Sequence, residues 1–265
     1  VMRRCVFLCS VLWLLLWQTD PARAAAAALA WTPQGDLVLF EDHADQRRAP
    51  ASLVKCMTAL LVCDAAANGT LRWEAPVAAP PDVAAVTGAR LGLVPGQEVP
   101  AQELLAALLI GSANDAAVAL AVQVAGSVHA FVTAMNARAA GLGLTGTRFA
   151  TPHGLPAPNQ YTTARDMARL AWALLEHYPY VVNFSAMPSC QVRGVALYNR
   201  NDLLHLPGVD GLKTGATAEA GACLILTALR QERRVIVVLL GARDAAARAK
   251  EAAALLEQAF AALPQ

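Results

Sequence analysis

Lysine is the scarce residue in this chain. Of 21 basic residues only Lys55, Lys213 and Lys250 are lysine, and the other 18 are arginine. Arginine stays protonated inside proteins, so it cannot stand where a proton must be given up. A surplus of either charge is also missing. Formal net charge is +1, and charged residues make up 15% of the chain. No field therefore points to nucleic acid or an anionic surface as partner. The longest apolar run, Cys5 to Trp17, has 13 residues, short of the roughly 20 that span a bilayer as a helix. The cysteines show no metal-ligand spacing and do not cluster with histidines, so neither metal nor other cofactor is expected. Cys56 and Cys63 fall on one predicted helix about 10 Å apart by helical rise, too far for a disulfide. Together with Cys190 and Cys223 they are expected as buried free thiols, although export would permit one disulfide. No internal repeat, charge run or low-complexity tract follows the alanines at 24–28.

What is present is a large apolar content, 56% of 265 residues, which favours a folded chain with a substantial core. Part of it lies at the start. Arg3 and Arg4 precede the apolar run, and Ala22-Arg23-Ala24 follows it. Basic start, apolar middle and small-x-small end describe a secretory signal peptide over residues 1–24. Cleavage after Ala24 is expected, with export to the periplasm or cell envelope; an uncleaved anchor is the alternative. Cys9 lies too early in the run to be read as a lipidation site. Residues 25–265 are expected to form a single catalytic domain carrying 18 basic and 19 acidic residues.

Pro50-Ala51-Ser52-Leu53-Val54-Lys55 opens the most informative stretch. On a helix, positions three apart share a face, so Ser52 Oγ and Lys55 Nζ can meet. Leu53, Val54, Met57, Leu60 and Leu61 then occur on every side, the pattern of a buried helix. Burial disfavours the charge of a lysine and lowers its pKa. Such a lysine can take a proton from a serine.

In chain order, residues 28–41 read as a hairpin around Thr32-Pro33-Gln34-Gly35. A helix from Ala51 to Ala67 stops at Asn68-Gly69. Residues 71–100 suggest short strands and turns. Helices follow at Ala101 to Leu109, Asn114 to Val124 and Val128 to Ala140, then a loop to Gln160. Thr163 can cap a helix from Ala164 to Glu176. From Val181 the pattern turns to strands: Cys190 to Arg193, Gly211 to Thr214, Ala222 to Leu229 and Val235 to Leu240, the last two as a hairpin turning at Gln231-Glu232. An amphipathic helix, Ala245 to Ala262, ends the chain. The class is α+β. One antiparallel sheet is built from both chain ends and flanked by helices, with a mainly α lobe over about 51–178 inserted.

Two further motifs stand apart. Ser112-Ala113-Asn114, in a turn between helices, can aim a hydroxyl and an amide into one cleft, although simple helix capping would also use them. Lys213-Thr214-Gly215, at a strand end, offers a cation, a hydroxyl and a position where a ligand can approach the backbone. The order Ser-x-x-Lys, Ser-x-Asn, Lys-Thr-Gly is closely similar to the motif set of penicillin-binding proteins and class A β-lactamases. The chain resembles the low-molecular-mass penicillin-binding proteins, the serine D-alanyl-D-alanine carboxypeptidases. The likeness runs from about Ala28 to Leu256. It is carried also by Asp115-Ala116, Pro152-His153-Gly154-Leu155, Tyr161 to Ala168 and Asp210-Gly211-Leu212.

The resemblance implies a β-lactamase/transpeptidase-like fold and an acyl-serine mechanism. Ser52 would be nucleophile and Lys55 its base. Ser112 and Asn114 would relay protons and hold the substrate amide. Lys213, Thr214 and Arg248 would bind a terminal carboxylate, with Gly215 beside them. Backbone N–H groups of Ser52 and Ala216 would form an oxyanion hole. The implied partners are peptidoglycan stem peptides, with β-lactam antibiotics as covalent inhibitors. Ala113 stands where the family usually has glycine, and Ala216 where it often has histidine. The β-rich domain and membrane anchor that follow the catalytic domain in many relatives are not expected here. A DD-endopeptidase would use the same residues. A class A β-lactamase has an added glutamate for deacylation, and residues 141–160 contain neither Asp nor Glu.

Overall fold

The computed structural model describes residues 24–264, so the expected signal peptide lies outside the described residues except for Ala24. The first hairpin pairs β1 (Ala27–Thr32) with β2 (Leu37–Asp42). A 3₁₀ turn, Ala51–Val54, leads into α1 (Lys55–Ala67). Then come β3 (Pro76–Ala78) and β4 (Glu98–Pro100), paired as a small ribbon. Helices α2 (Ala101–Leu109), α3 (Asn114–Ala125), α4 (Val128–Gly141) and α5 (Ala164–His177) follow. After a short helix α6 (Val182–Ser185), a second ribbon pairs β5 (Ser189–Val192) with β6 (Val195–Tyr198). Last are β7 (Val209–Thr217), β8 (Gly221–Arg230), β9 (Arg233–Ala242) and α7 (Ala245–Ala262).

The main sheet is antiparallel in the order β2-β1-β9-β8-β7. Both chain ends therefore build one sheet, as the order of patterns predicts. The unbroken apolar run Val235–Leu240 is explained by its central place. On β9, alternate side chains face opposite sides. Ile236, Val238 and Leu240 join Met57, Leu60, Leu170 and Leu174 in the core against α1 and α5. Val235, Val237 and Leu239 pack with Leu255 and Leu256 of α7 on the other face. A third core, with Val77, Val99, Leu104, Ile110 and Leu120, fills the inserted lobe. The β8–β9 loop has two residues, Gln231 and Glu232, both at positive φ, the geometry that matches strand twist in tight hairpins.

Local differences from the sequence reading have physical causes. The Ala51–Ala67 helix is α-helical only from Lys55; its first turn is 3₁₀, and Ala51 is left-handed at φ +48°. The strand region, read as starting at Val181, is delayed: Pro179–Val181 form a 3₁₀ turn and Val182–Ser185 form α6, because Pro179 begins a helical turn well. Arg193 is not a strand residue but a left-handed turn position, followed by Gly194, that closes the β5–β6 ribbon. Cys56, Cys63 and Cys223 are buried free thiols, and Cys190 is half-buried and free. No single helix among the described residues is long and apolar enough to cross a membrane.

Candidate active site

Lys55 is wholly buried at the first position of α1, among apolar neighbours. Its Nζ makes three close contacts: Ser52 Oγ at 3.0 Å, Asn114 Oδ1 at 2.7 Å and the His153 carbonyl at 2.6 Å. The Ser52 pairing follows from the 3₁₀ turn, in which residues three apart eclipse one another. Asn114 Nδ2 donates to the Thr87 carbonyl at 2.7 Å, which turns Oδ1 toward the lysine. Burial drives the Lys55 pKa well below its ordinary value, and the nearby Lys213 charge drives it further the same way. A neutral amine has two N–H donors and one lone pair. Asn114 Oδ1 and the His153 carbonyl can only accept, so they take the two donors. The lone pair is left facing Ser52 Oγ, which is half-buried at the cavity wall.

That cavity measures about 520 Å³ and lies between the inserted lobe and the sheet edge at β7. Ser52, Ser112, Asn114, Thr214, Gly215, Ala216 and Arg248 all line it, together with Arg200. Ser112 is nearly buried and left-handed at φ +59°. Neither Ser112 nor Asn114 caps α3: Ala113 is its N-cap and gives no side-chain hydrogen bond. The capping explanation for this motif therefore fails. Asp115, next in sequence, is buried and accepts from the backbone N–H groups of Leu91, Gly92 and Leu93 at 2.8–2.9 Å. The Asn114 N–H donates to the Ala89 carbonyl at 2.8 Å. These bonds tie the 87–93 loop to the start of α3 and hold the Gly88-Ala89 part of the wall.

On the opposite wall, Lys213 points behind the surface. It is buried and donates to the Thr214 carbonyl at 3.2 Å, while Thr214 itself faces the cavity. Burial lowers the Lys213 pKa to about 8, with the Arg200 and Arg248 charges acting the same way. Arg248, in the first turn of α7, is 5% exposed. Its Nη2 reaches the Arg200 carbonyl at 3.4 Å, and its buried Nε has no hydrogen-bond partner among the described residues. Gly215 has a second role beside the one expected of it. A Cβ there would lie 2.7 Å from Ser52 N and 3.0 Å from Ala51 Cβ. Its bareness lets β7 pack against the nucleophile turn as well as opening the wall to a ligand. Gly154 does the same from the other side, where a Cβ would lie 1.9 Å from the Ala51 carbonyl oxygen. Ala216 is exposed in the wall, its methyl leaving space where a larger side chain would intrude.

Comparison with known proteins places the chain in a family. A family model described as D-alanyl-D-alanine carboxypeptidase, Peptidase S11, matches residues 17–244. The chain belongs to the S11 D-alanyl-D-alanine carboxypeptidases. Within that family it is 36% identical over 91% of its length to DacF of Bacillus subtilis, covering 64% of that protein. It is 39% identical over 84% to DacC of Escherichia coli, covering 58%. At 31% over 84% it also matches an Escherichia coli D-alanyl-D-alanine endopeptidase, covering 73%. The chain thus spans about three fifths of the two carboxypeptidases. Among solved structures, penicillin-binding protein D2 of Listeria monocytogenes in its ampicillin-bound form superposes with a TM-score of 0.84 at 33% identity, covering 92% of this chain and all of that one.

Four residues around this cavity had no role in the sequence reading. Asp115 and His153 sit inside the stretches that carry the resemblance, but His153 acts through its carbonyl, which side-chain chemistry does not announce. Burial is the chief cause that lowers the pKa of its ring to about 4. Thr87 likewise acts through a carbonyl. Arg200 is one of 18 arginines, and nothing in its local sequence marks it.

Proposed function

We propose that the protein is a serine-type D-Ala-D-Ala carboxypeptidase acting on peptidoglycan stem pentapeptides in the cell envelope, and that β-lactams acylate it. The observation that carries this reading is the Lys55 cluster: a buried amine whose close neighbours are the Ser52 hydroxyl, Asn114 Oδ1 and the His153 carbonyl. Ser52 Oγ attacks the carbonyl of the penultimate D-Ala as Lys55 Nζ takes its proton. The oxyanion is received by the backbone N–H groups of Ser52 and Ala216, a contribution typically worth about 3–4 kcal/mol per donor. The proton passes to the leaving D-Ala amine through Lys55 and Ser112, and water then releases the acyl group by the same route reversed. Asn114 fixes the Lys55 amine. Thr214 on the cavity wall receives the terminal carboxylate, with the charges of Arg248 at the wall and Lys213 just behind it.

The reading requires Lys55 neutral and Lys213 charged. kcat/KM, which reports the free enzyme's groups, should therefore rise as Lys55 loses its proton. It should fall again above pH of about 8, as Lys213 loses its charge. A profile still rising through pH of about 10 would remove Lys213 from carboxylate binding, since its pKa of about 8 lies well below that.

The deciding assay incubates the protein with purified muropeptides, monomeric pentapeptide and cross-linked dimer, and reads products by mass. Loss of one alanine from the monomer with the dimer intact is expected. Cleavage of the dimer alone would make the protein an endopeptidase, and no cleavage of either would refute the proposal.

A further inference from the structure

A second concavity, of about 250 Å³, lies where the inserted lobe meets the segment 179–185, among Trp73, Glu74, Gln102, Leu105, Tyr180, Asn183 and Phe184. Its aromatic rings are held in place. Trp73 and Tyr180 meet edge to face, with centroids 6.2 Å apart and planes at 82°. Tyr178 and Tyr180 are 6.0 Å apart. The Tyr178 hydroxyl donates to Asp64 Oδ1 at 2.6 Å, and Asp64 is paired with Arg138. Rings fixed in this way lose little freedom when a ligand arrives.

The lining selects a chemical class. Aromatic faces carry negative quadrupole charge and attract the weakly positive C–H groups of a saturated ring. Gln102 and Asn183 supply amides that both donate and accept, which suits hydroxyl and acetamide groups. Leu105 and Phe184 offer an apolar floor for a methyl group. No lysine or arginine lines the pocket, and Glu74 would repel an anion. A volume below the roughly 300–1,000 Å³ of sites for drug-sized ligands fits a single sugar ring.

We infer that this pocket binds an N-acetylated amino sugar of the glycan strand to which the stem peptide is attached. The inference rests on the proposed peptidase reading for the source of that sugar. Distance is compatible. Cys63 and Asp64, behind the aromatic rings, lie about 12–14 Å beyond Lys55 along α1 by helical rise. An extended stem of four residues spans about 14 Å. The pocket is also tied to the active cavity. Asn199, which lines that cavity, donates to the Ser185 and Met187 carbonyls at 2.9 and 3.1 Å, one and three residues after the pocket residue Phe184.

The test titrates the full chain with the trimer of N-acetylglucosamine, reading ligand NMR and tryptophan fluorescence, with a glucose trimer as control. D-Ala release from a free pentapeptide is measured in the same preparations. Millimolar binding of the acetylated trimer is expected, weakened about tenfold or more, roughly 1.4 kcal/mol, in Tyr180→Ala and Asn183→Ala. Both residues are exposed, so the variants should fold and release D-Ala from the free pentapeptide at the wild-type rate. KM should rise only for glycan-linked pentapeptide. Absence of trimer binding by protein that releases D-Ala normally would overturn the inference and leave the peptidase reading standing. Equal binding of the glucose trimer, or unchanged affinity in both variants, would overturn it as well. Trimer binding without D-Ala release would support the sugar site and refute the peptidase reading.

Discussion

Lys55→Arg is expected to lose D-Ala release by about 100- to 10,000-fold, the range for a missing general base. The substitution keeps a positive charge, so a lysine serving only as a cation would be partly replaced. Arginine, with a pKa above about 12, cannot accept the Ser52 proton. It also brings donors in excess of the acceptors around Lys55, which are Asn114 Oδ1, the His153 carbonyl and Ser52 Oγ. Lys250→Arg is the control, because Lys250 is exposed on α7 and the swap there should leave the rate unchanged. Circular dichroism establishes that both variants fold. A Lys55→Arg rate within about tenfold of wild type would contradict the base assignment, being outside the range for base loss.

Gly154→Ala should disable the site without touching a reacting group. The new methyl would lie 1.9 Å from the Ala51 carbonyl oxygen and 2.6 Å from its carbon. Both atoms are backbone, so the nucleophile turn itself must move. The cost is about 2–5 kcal/mol, combining overpacking with a left-handed φ of +85°. Displacing Ser52 by about 1 Å can by itself cost about 100-fold in rate. Gly35→Ala separates the two causes. Gly35 is left-handed at φ +78° but has nothing within 4 Å of its would-be Cβ. It should lower the melting temperature modestly and leave penicillin acylation unchanged. Equal acylation rates in the two variants would show that the approach of Gly154 to Ala51 does not set the nucleophile's position.

Most of the architecture was legible because the sheet's centre is buried on both faces. Val235–Leu240 reads as strand, and Thr163 marks its helix start with a side chain that does accept from the Asp166 N–H group. The residues of the three motifs do gather at one cavity, with Lys55 and Lys213 directly behind its wall. What sequence could not announce is backbone chemistry. The His153 and Thr87 carbonyls fix the protonation geometry of Lys55 and Asn114, yet any residue could present a carbonyl. The 3₁₀ turn at Ser52 was also hidden. An Ala at φ +48° is not a conformation that alanine announces; it follows from Gly154 and Gly215 closing on the turn from two sides.

The measurement that bears most directly on the account is the position of the covalent adduct formed with benzylpenicillin. Protein is labelled, digested and mapped by mass, with Ser52→Ala treated in parallel. A β-lactam presents an amide like that of D-Ala-D-Ala, but its leaving group stays attached and obstructs water, so the adduct should persist. The expected result is one slowly clearing adduct on the peptide containing Ser52, absent from Ser52→Ala. A lasting adduct on another residue, or labelling that survives in Ser52→Ala, would contradict Ser52 as the nucleophile.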